Sequence, residues 1–423
     1  MSTKSTPKQI HLAAHFPGVN NTTVWADPAS RSQIEFSSFR HLAETAERGR
    51  FDFFFLAEGL RLREVKGRIH DLDVVGRPEA ITVLNALAAV TTHLGLAATV
   101  SATFNEPYEL ARRLASLDHL SGGRAAWNVV TSNDAFTGAN FRRGGYLEHA
   151  DRYHRAAEFV RLARELWESD GKVVRHDGPH FTVEAAGPLP PSPQGRPVVI
   201  QAGDSDDGRE FAAEHADVVF SRHSTLEAGR AFHTDVKRRL ARYGRRPDDL
   251  RIMPGVTFAL GSTEAEAARR SAEIRRAQVP PRTALAFLEQ VWGVDLSDHD
   301  PDGPLPAGDP VVNSDLVQGR TRLGDPLEIA ARYRKLATER GLSSRELVIE
   351  LSGRHSFVGT PESVADQLAE HVATDAADGF ILVPHLTPGG LDDFVDQVVP
   401  ILQRRGLHRT EYTGTTLRGH LAE

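Results

Sequence analysis

The chain has 423 residues, 40% of them hydrophobic and 25% charged, which is enough apolar material for a large core. A net charge of -7 without a concentrated Lys/Arg block gives no electrostatic reason to expect a nucleic-acid partner. The chain contains no cysteine, which excludes disulfides, thiolate metal sites and cysteine nucleophiles.

The chain begins with a polar stretch, Met1 to Pro7, followed by the short apolar segment Ile10–Ala14. This segment is too short for the apolar part of a signal peptide or for a membrane span. We therefore expect a cytoplasmic protein with no membrane partner.

Eight short apolar runs are predicted strands, because they contain branched or aromatic residues and are bounded by turn formers. In chain order they are Ile10–Ala14, Phe51–Leu56, Leu94–Val100, Ala125–Val130, Pro197–Ala202, Asp217–Ser221, Ile252–Leu260 and Gly379–Val383. Between them, apolar residues three and four positions apart predict helices. These are Phe39–Arg48, Ala80–Thr91, Pro107–Leu120, Arg152–Trp167, Leu226–Tyr243, Glu264–Arg276 and Glu362–Ala373. The alternation predicts an α/β fold, a single-domain (β/α)8 TIM barrel over residues 1–423. A doubly wound open sheet is the alternative.

Two segments interrupt this alternation, after strands four and seven. Residues 132–148 are polar and Gly-rich, and the runs Val173–His176 and His180–Val183 then predict a small hairpin. Residues 279–325 are rich in proline and are predicted to be a long loop, either an active-site lid or a surface excursion. Residues 404–423 are expected to form a C-terminal tail.

Several motifs are spread along nearly the whole chain. The first is GRAAWNVVTS at residues 123–132, followed by Arg152-Tyr153 and by Gln201-Ala202-Gly203 with Ser205 and Gly208. Further motifs are GTPE at 359–362, DGF at 378–380 and EYTG at 411–414. In this order they are very similar to motifs of the nitrilotriacetate and dibenzothiophene-sulfone monooxygenase family, within the bacterial-luciferase superfamily of flavin enzymes.

The resemblance implies a two-component monooxygenase that uses reduced FMN and O2. A separate NAD(P)H:flavin reductase would supply the reduced flavin, and one oxygen atom would enter a small organic substrate. It also implies a homodimer or homotetramer. The resemblance does not identify the substrate.

Polar residues at the carboxyl ends of predicted barrel strands are candidate flavin contacts, because these ends form the active-site face of such barrels. Asn128 ends strand four, and its amide can both donate to and accept from a flavin ring. Thr103, with Phe104, lies at the end of strand three. Glu58 follows strand two, where the resemblance places an acidic residue near the flavin. The alternative for Asn128 is that its amide satisfies strand-end backbone groups. The alternative for Glu58 is a loop or helix-capping carboxylate, and for Phe104 it is simple packing.

The segment from Gln201 to Gly208 follows a buried strand and opens a helix at about Arg209, which predicts a phosphate site. Gly203 allows backbone N–H groups to approach an anion, and Ser205 adds a hydroxyl donor. The three nearby aspartates, Asp204, Asp206 and Asp207, argue against a phosphate there. The alternative is an ordinary Asp or Ser helix cap.

His149 and Tyr153 are four residues apart at the start of a predicted helix and so share one face. The resemblance implies that they contact the flavin ring or its phosphate, whereas spacing alone favours a packed pair. Arg152 would pair with phosphate or fix the loop. His149 and Glu58 are the candidate catalytic residues, for proton transfer only. No metal site is predicted, because no histidine pair has ligand spacing with a nearby carboxylate.

Three other functions remain open. A deazaflavin-dependent oxidoreductase would use the same barrel, but the motif at 123–132 argues against it. A flavin-binding protein without turnover is disfavoured by the joint presence of Asn128, Tyr153 and Ser205. A flavin-free barrel hydrolase or lyase would not respond to reduced FMN.

Overall fold

The structure is a computed structural model that describes residues 8–17, 22–61, 78–132, 137–141, 151–312, 324–353 and 356–423. It describes the backbone alone at 64–65, 68–69, 135–136, 149–150 and 317–318. Over these residues, no helix has both the length and the apolar character that crossing a membrane requires.

Eight parallel strands form a closed barrel. The strands of the chain are β1 His11–His15, β2 Phe53–Leu56, β3 Glu64–Val65, β4 Arg68–Ile69, β5 Gly95–Ser101, β6 Ala125–Val130, β7 Val173–Asp177, β8 Thr182–Ala186, β9 Val198–Gln201, β10 Val218–Ser221, β11 Arg251–Leu260, β12 Val317–Gln318, β13 Ser356–Gly359 and β14 Gly379–Leu382. The barrel order is β10-β9-β6-β5-β2-β1-β14-β11, and β11 pairs back onto β10. The predicted TIM barrel is confirmed, and the open sheet is excluded because no edge remains between β10 and β11.

Helices connect successive barrel strands and surround the barrel. They are α1 Phe36–Arg48, α2 Ala80–Ala88, α3 Pro107–Leu120, α4 Ala135–Gly138, α5 His149–Glu168, α6 Asp206–His215, α7 Leu226–Leu240, α8 Glu264–Gln278, α9 Pro281–Trp292, α10 Pro326–Arg340, α11 Ser344–Ser352, α12 Pro361–Ala373, α13 Val399–Arg404 and α14 Leu417–Ala422. The predicted helices are present with shifted ends. Helix α6 begins three residues before the predicted start at Arg209, because Ser205 caps it.

Alternate residues of the barrel strands point inward and form a buried cluster that includes Ala13, Phe53, Phe55 and Ile200. The C-terminal helix α14 closes the amino end of this cluster. Its Leu417 side chain is fully buried and packs against β5, where a Cβ on Gly95 would lie 2.6 Å from the leucine methyl carbon. Glycine is therefore required at this contact, and the segment predicted as a tail contributes to the core.

Three aspartates, one buried and two half-buried, connect strands at the amino end of the barrel. Each lies directly before a barrel strand, and each bonds twice to the backbone of a neighbouring strand. Asp52 accepts from Leu12 N at 2.9 Å and donates its own N–H to Leu12 O at 2.6 Å. Asp217 pairs in this way with Val199, and Asp378 with Ile252. The repeated bridge aligns neighbouring parallel strands.

The hairpin predicted after strand four is present as β7 and β8, with its second strand beginning at Thr182 and not at His180. The turn is held by Glu158 of α5. Its carboxylate accepts the backbone N–H of Phe181 at 3.1 Å and lies 2.9 Å from His176 Nε2. The hairpin is thereby fixed to the helix that follows strand four.

The prediction of a continuous loop over residues 279–325 is wrong for its first part, which contains helix α9. Pro281 occupies the first helical turn, where a missing N–H costs nothing, so it starts the helix. Leu288 and Trp292 of α9 pack in a separate buried cluster with α10 and α11. Carbonyl groups of the following segment are also held: Gly303 O accepts from Ser344 N at 2.8 Å, and Gly308 O accepts from Trp292 Nε1 at 3.0 Å.

Candidate active site

The carboxyl ends of the barrel strands carry the polar residues that the sequence singled out. Asn128 lies inside the barrel on β6 and is 3% exposed. Its Nδ2 donates to Thr99 Oγ1 at 3.1 Å, whereas its Oδ1 is buried without a partner among the described residues. A buried acceptor of this kind costs free energy unless a ligand donates to it. The alternative role, satisfying strand-end backbone groups, is not what the described contacts show.

Tyr153, Gly203 and Gly208 lie together where β9 ends and α6 begins. A Cβ at Gly203 would overlap the Tyr153 hydroxyl and the Gln201 side-chain amide, and one at Gly208 would lie 2.9 Å from the same hydroxyl. Only glycine fits at positions 203 and 208, because the Tyr153 hydroxyl packs directly against the backbone there. The surrounding groups are backbone N–H groups and a phenol, and donors of this type suit an anion.

Ser205 caps α6. Its Oγ accepts the backbone N–H of Gly208 at 3.1 Å, so the capping role that was the alternative is present. This bond uses an oxygen lone pair and leaves the hydroxyl hydrogen to be donated elsewhere. The cap and a phosphate contact are therefore compatible.

The negative charge of Asp204, which argued against a phosphate site, is paired with residues that follow the next barrel strand. Arg222, just past β10, donates to Asp204 Oδ2 at 2.6 Å, and His223 lies within hydrogen-bond distance of Oδ1. Partial burial raises the pKa of Asp204, but the hydrogen bonds from His223 and Arg222 outweigh it and hold the pKa below its ordinary value. Asp206 is likewise paired with Arg239 at 2.6 Å.

The remaining predicted residues lie around the same end of the barrel. Thr103 is buried beyond β5, with its hydroxyl 3.4 Å from Ser132 O. Phe104 stacks on Phe141 at 4.6 Å between ring centroids, which agrees with simple packing. Glu58 is half-buried two positions beyond β2. The side chain of His149 lies outside the described residues, although its backbone begins α5.

An aromatic floor, formed by His15, Phe55 and Phe220, lies inside the barrel near its carboxyl end. The His15 and Phe55 rings stack at 5.3 Å, and Phe220 meets Phe55 edge-on at 5.1 Å. The sequence analysis did not group these three rings. Strand alternation would have found them, because each occupies an inward position at or next to a strand end.

Two further contributors were missed. Gln201, the first residue of the Gln201-Ala202-Gly203 motif, is 2% exposed. Its Oε1 has no hydrogen-bond partner among the described residues. Arg222 and His223 were not considered, although they follow the strand that pairs with β9. Adjacent parallel strands bring the residues after their ends together, which is the signal that links 204 to 222. In the described ranges, no three His, Asp or Glu side chains are grouped to hold a metal ion.

Comparisons with known proteins agree with this architecture. The family model described as Luciferase-like monooxygenase matches residues 18–379. The chain is 40% identical to N-acetyl-S-(2-succino)cysteine monooxygenase of Bacillus subtilis (strain 168), over 98% of this chain and 97% of that protein. It is 41% identical to nitrilotriacetate monooxygenase component A of Aminobacter aminovorans, over 94% and 91%. The crystal structure of a riboflavin lyase with modified FMN superposes with a TM-score of 0.80 at 30% identity, covering 98% and 96% of the two chains.

Proposed function

Since this chain belongs to the luciferase-like monooxygenase family, we propose that it is a two-component monooxygenase that binds reduced FMN and inserts one atom of O2 into a small organic substrate. The observation that carries the proposal is the close packing of Gly203 and Gly208 against the Tyr153 hydroxyl at the N-terminus of α6, which groups a phenol with backbone N–H donors. It lies next to a barrel end that contains an unsatisfied buried acceptor on Asn128.

The phosphate of FMN fits the space bordered by Tyr153, Gly203 and Ser205. Backbone N–H groups at the start of α6 and the positive end of its dipole favour an anion. Because Arg222 and His223 offset the charge of Asp204, the nearest carboxylate does not repel a phosphate strongly. These side chains would bind the phosphate and set the position of the flavin.

The ring system fits the barrel end above the aromatic floor. The free Oδ1 of Asn128 can accept from a ring N–H, and the floor excludes water from beneath it. When bound, reduced FMN supplies the reaction with O2 and the oxygen atom for transfer. The protein's part is to bind, orient and exclude water. We propose Glu58 and His149 for proton transfer, Thr103 for contact with the flavin, and Arg152 for the phosphate or the adjoining loop.

The same proposal includes a separate NAD(P)H:flavin reductase as partner, and the printed name of the Aminobacter aminovorans relative, a component A, supports this. It also includes a cytoplasmic location and a homodimer or homotetramer. The two relatives are named for an N-acetylated succinocysteine and for nitrilotriacetate, so related chains act on different small molecules. A screen of small organic compounds would identify the substrate of this chain.

Two glycine variants test the flavin site. Gly203→Ala is expected to weaken reduced-FMN binding by about fivefold or more, since the added methyl group displaces the Tyr153 hydroxyl and overpacking costs roughly 1–3 kcal/mol. Gly308→Ala is the matched control, because its added Cβ meets nothing within 4 Å. Anaerobic fluorescence titration measures both affinities. Equal affinities would remove Gly203 and the adjoining Tyr153 hydroxyl from the flavin site.

Activity is tested with a generic flavin reductase, NADH and a panel of small organic compounds under isotope-labelled O2. Product carrying one labelled oxygen atom is the expected result. Peroxide formation with no labelled product across the panel would favour a flavin-binding protein without turnover. If reduced FMN changes neither the absorption spectrum nor the melting temperature of the protein, the proposal of a flavin-dependent enzyme is wrong, and a flavin-free barrel enzyme is favoured.

A further inference from the structure

A cavity of about 550 Å³ opens at the amino end of the barrel, opposite the candidate active site. It lies between α5, the end of α6, the segment after α7, and α14. Its lining contains more arginines than carboxylates, and the arginines are Arg164, Arg196, Arg245, Arg246, Arg251 and Arg418. The lining carboxylates number four, those of Glu214, Asp217, Asp248 and Asp249.

The carboxylates of the lining already have cationic partners. Asp217 is shared by Arg418 at 3.1 Å and Arg196 at 3.4 Å. Asp249 pairs with Arg246 at 2.9 Å. Asp248 lies 3.9 Å from Arg251, and Glu214 lies 3.6 Å from Arg161. None of these pairs involves Arg164 or Arg245.

Among the described residues, Arg164 and Arg245 donate hydrogen bonds only to carbonyl oxygens. Arg245 donates to Ala213 O at 2.8 Å and to Ala216 O and Asp249 O at 2.6 Å, and Arg164 donates to His215 O. Throughout the described chain, neither guanidinium has a carboxylate within 4.0 Å, and Arg164 Nε is buried without a partner. The end of α6 contributes only about half a negative charge to offset two full positive charges. Charges withdrawn from water are normally paired.

The titration of neighbouring groups agrees with an excess of positive charge. Burial, and then repulsion by Arg164, Arg161 and Arg245, lowers the pKa of His215 to about 3. Burial and the charge of Arg196 lower the pKa of Arg164 itself to about 10. Burial is the largest cause of both shifts, repulsion among the arginines adds to it, and Asp217 and Glu168 act on the pKa of Arg164 in the opposite direction.

We propose that this cavity is a second ligand site, which binds an oxyanion between Arg164 and Arg245. A phosphate group or a carboxylate matches the planar fork of donors that a guanidinium presents. The site is independent of the proposed flavin function, because it lies at the other end of the barrel and shares no residue with the flavin site. The ligand would be a small anionic metabolite or inorganic phosphate, which have this chemistry in common.

Calorimetric titration of the full-length protein tests the site, with inorganic phosphate and citrate as probes at constant ionic strength set by chloride. Arg164→Gln is expected to weaken binding on the order of tenfold or more, because it removes a charged hydrogen-bond donor. The charge-matched control is Arg175→Gln on the hairpin, whose side chain is 71% exposed and pairs with Glu184. The control is expected to bind as the unmodified protein does.

A preference for citrate would identify a carboxylate ligand, and a preference for phosphate a phosphate ligand. Equal binding by Arg164→Gln and Arg175→Gln would overturn the proposal, since phosphate would then be occupying only the flavin site or the surface. A crystal of the unmodified protein soaked in selenate provides a measurement that needs no variant. Anomalous density beside Arg164 and Arg245 is expected, and empty density there would also overturn it.

Discussion

The buried polar groups around Asp52 and around Asn128, at the two ends of the barrel, differ in how completely they are hydrogen-bonded. At the amino end, Asp52 is fully buried, and it contacts Arg409 at 2.8 Å, His11 at 3.2 Å and the Leu12 backbone. At the carboxyl end, Asn128 and Gln201 each keep a buried oxygen without a partner in the described structure. The surroundings of Asp52 are thus paired as in a protein core, whereas the carboxyl end keeps buried acceptors that a ligand can satisfy.

The motif at residues 123–132 contains both a residue that stabilises the barrel and a residue of the candidate site. Arg124, at its start, is buried and donates to Ser121 O, Leu94 O and Thr91 O at the amino end. Asn128, four residues later, reaches the site. One short strand therefore carries a structural residue at one end and a binding residue at the other, which explains why the whole run is informative about the family.

The largest effect is expected at Asp52. Removing this carboxylate in Asp52→Ala leaves the Leu12 N–H without its acceptor and takes from Arg409 one of its two carboxylate partners, the other being Glu423, and breaking a buried pair costs about 3–5 kcal/mol. Denaturant unfolding measures the loss. Glu184→Ala is the control, since its ion pair with Arg175 is exposed and is worth less than about 1 kcal/mol. Similar losses in the two variants would contradict the assigned role of the amino end.

The next effect is expected at Leu417, which closes the amino end of the barrel. Leu417→Ala should lower the free energy of unfolding by about 2–5 kcal/mol, because it leaves a cavity against β5. Leu120→Ala, at a position that is 73% exposed, should change it by less than about 0.5 kcal/mol. If the two variants melt alike, α14 is a peripheral tail after all.

At the carboxyl end, Ser205→Ala is expected to affect binding more than folding. Loss of a donor to a charged phosphate should weaken reduced-FMN binding by about 1.5–3 kcal/mol. Loss of the helix cap should cost about 0.5–2 kcal/mol of stability. Thr225→Ala, which removes the equivalent cap of α7, controls for the capping effect. A loss of affinity no larger than that of the control would leave Ser205 with a capping role alone.

The smallest effect is a pH dependence at Asp217. Burial raises its pKa, but Arg418 and Arg196 outweigh this and lower the pKa from 3.8 to about 2. A lowered folded-state pKa gives stability that is present above the unfolded value of 3.8 and is lost as the pH falls towards about 2. The contribution is roughly 2 kcal/mol. Asp217→Asn should flatten the loss of stability between pH 4 and pH 2, and an unchanged slope would contradict the shift.

Much of the site was predictable because its residues follow strands that the sequence marks clearly. Gly203, Ser205 and Tyr153 were each predicted to contact FMN, and in the structure the Tyr153 hydroxyl lies against Gly203 where Ser205 caps α6. The pairing of Asp204 with Arg222 was not predicted, and it reverses the main argument against a phosphate there. Such a pair forms only when the two preceding strands are neighbours in the barrel, and the local sequence does not show which strands are neighbours.

The sequence by itself indicated the eight barrel strands, because each is a short apolar run with branched or aromatic residues between turn formers, and helical patterns separate the runs. It also determined most helices, through their three- and four-residue spacing. Only the tertiary structure decided that α9 is a helix, since proline clusters near its start resemble a loop until the packing of Trp292 is seen. The same holds for Asp52 and Arg409, which are 357 positions apart along the chain and 2.8 Å apart in space. Periodicity is a local property of the chain, whereas the pairing of charges requires the barrel to close.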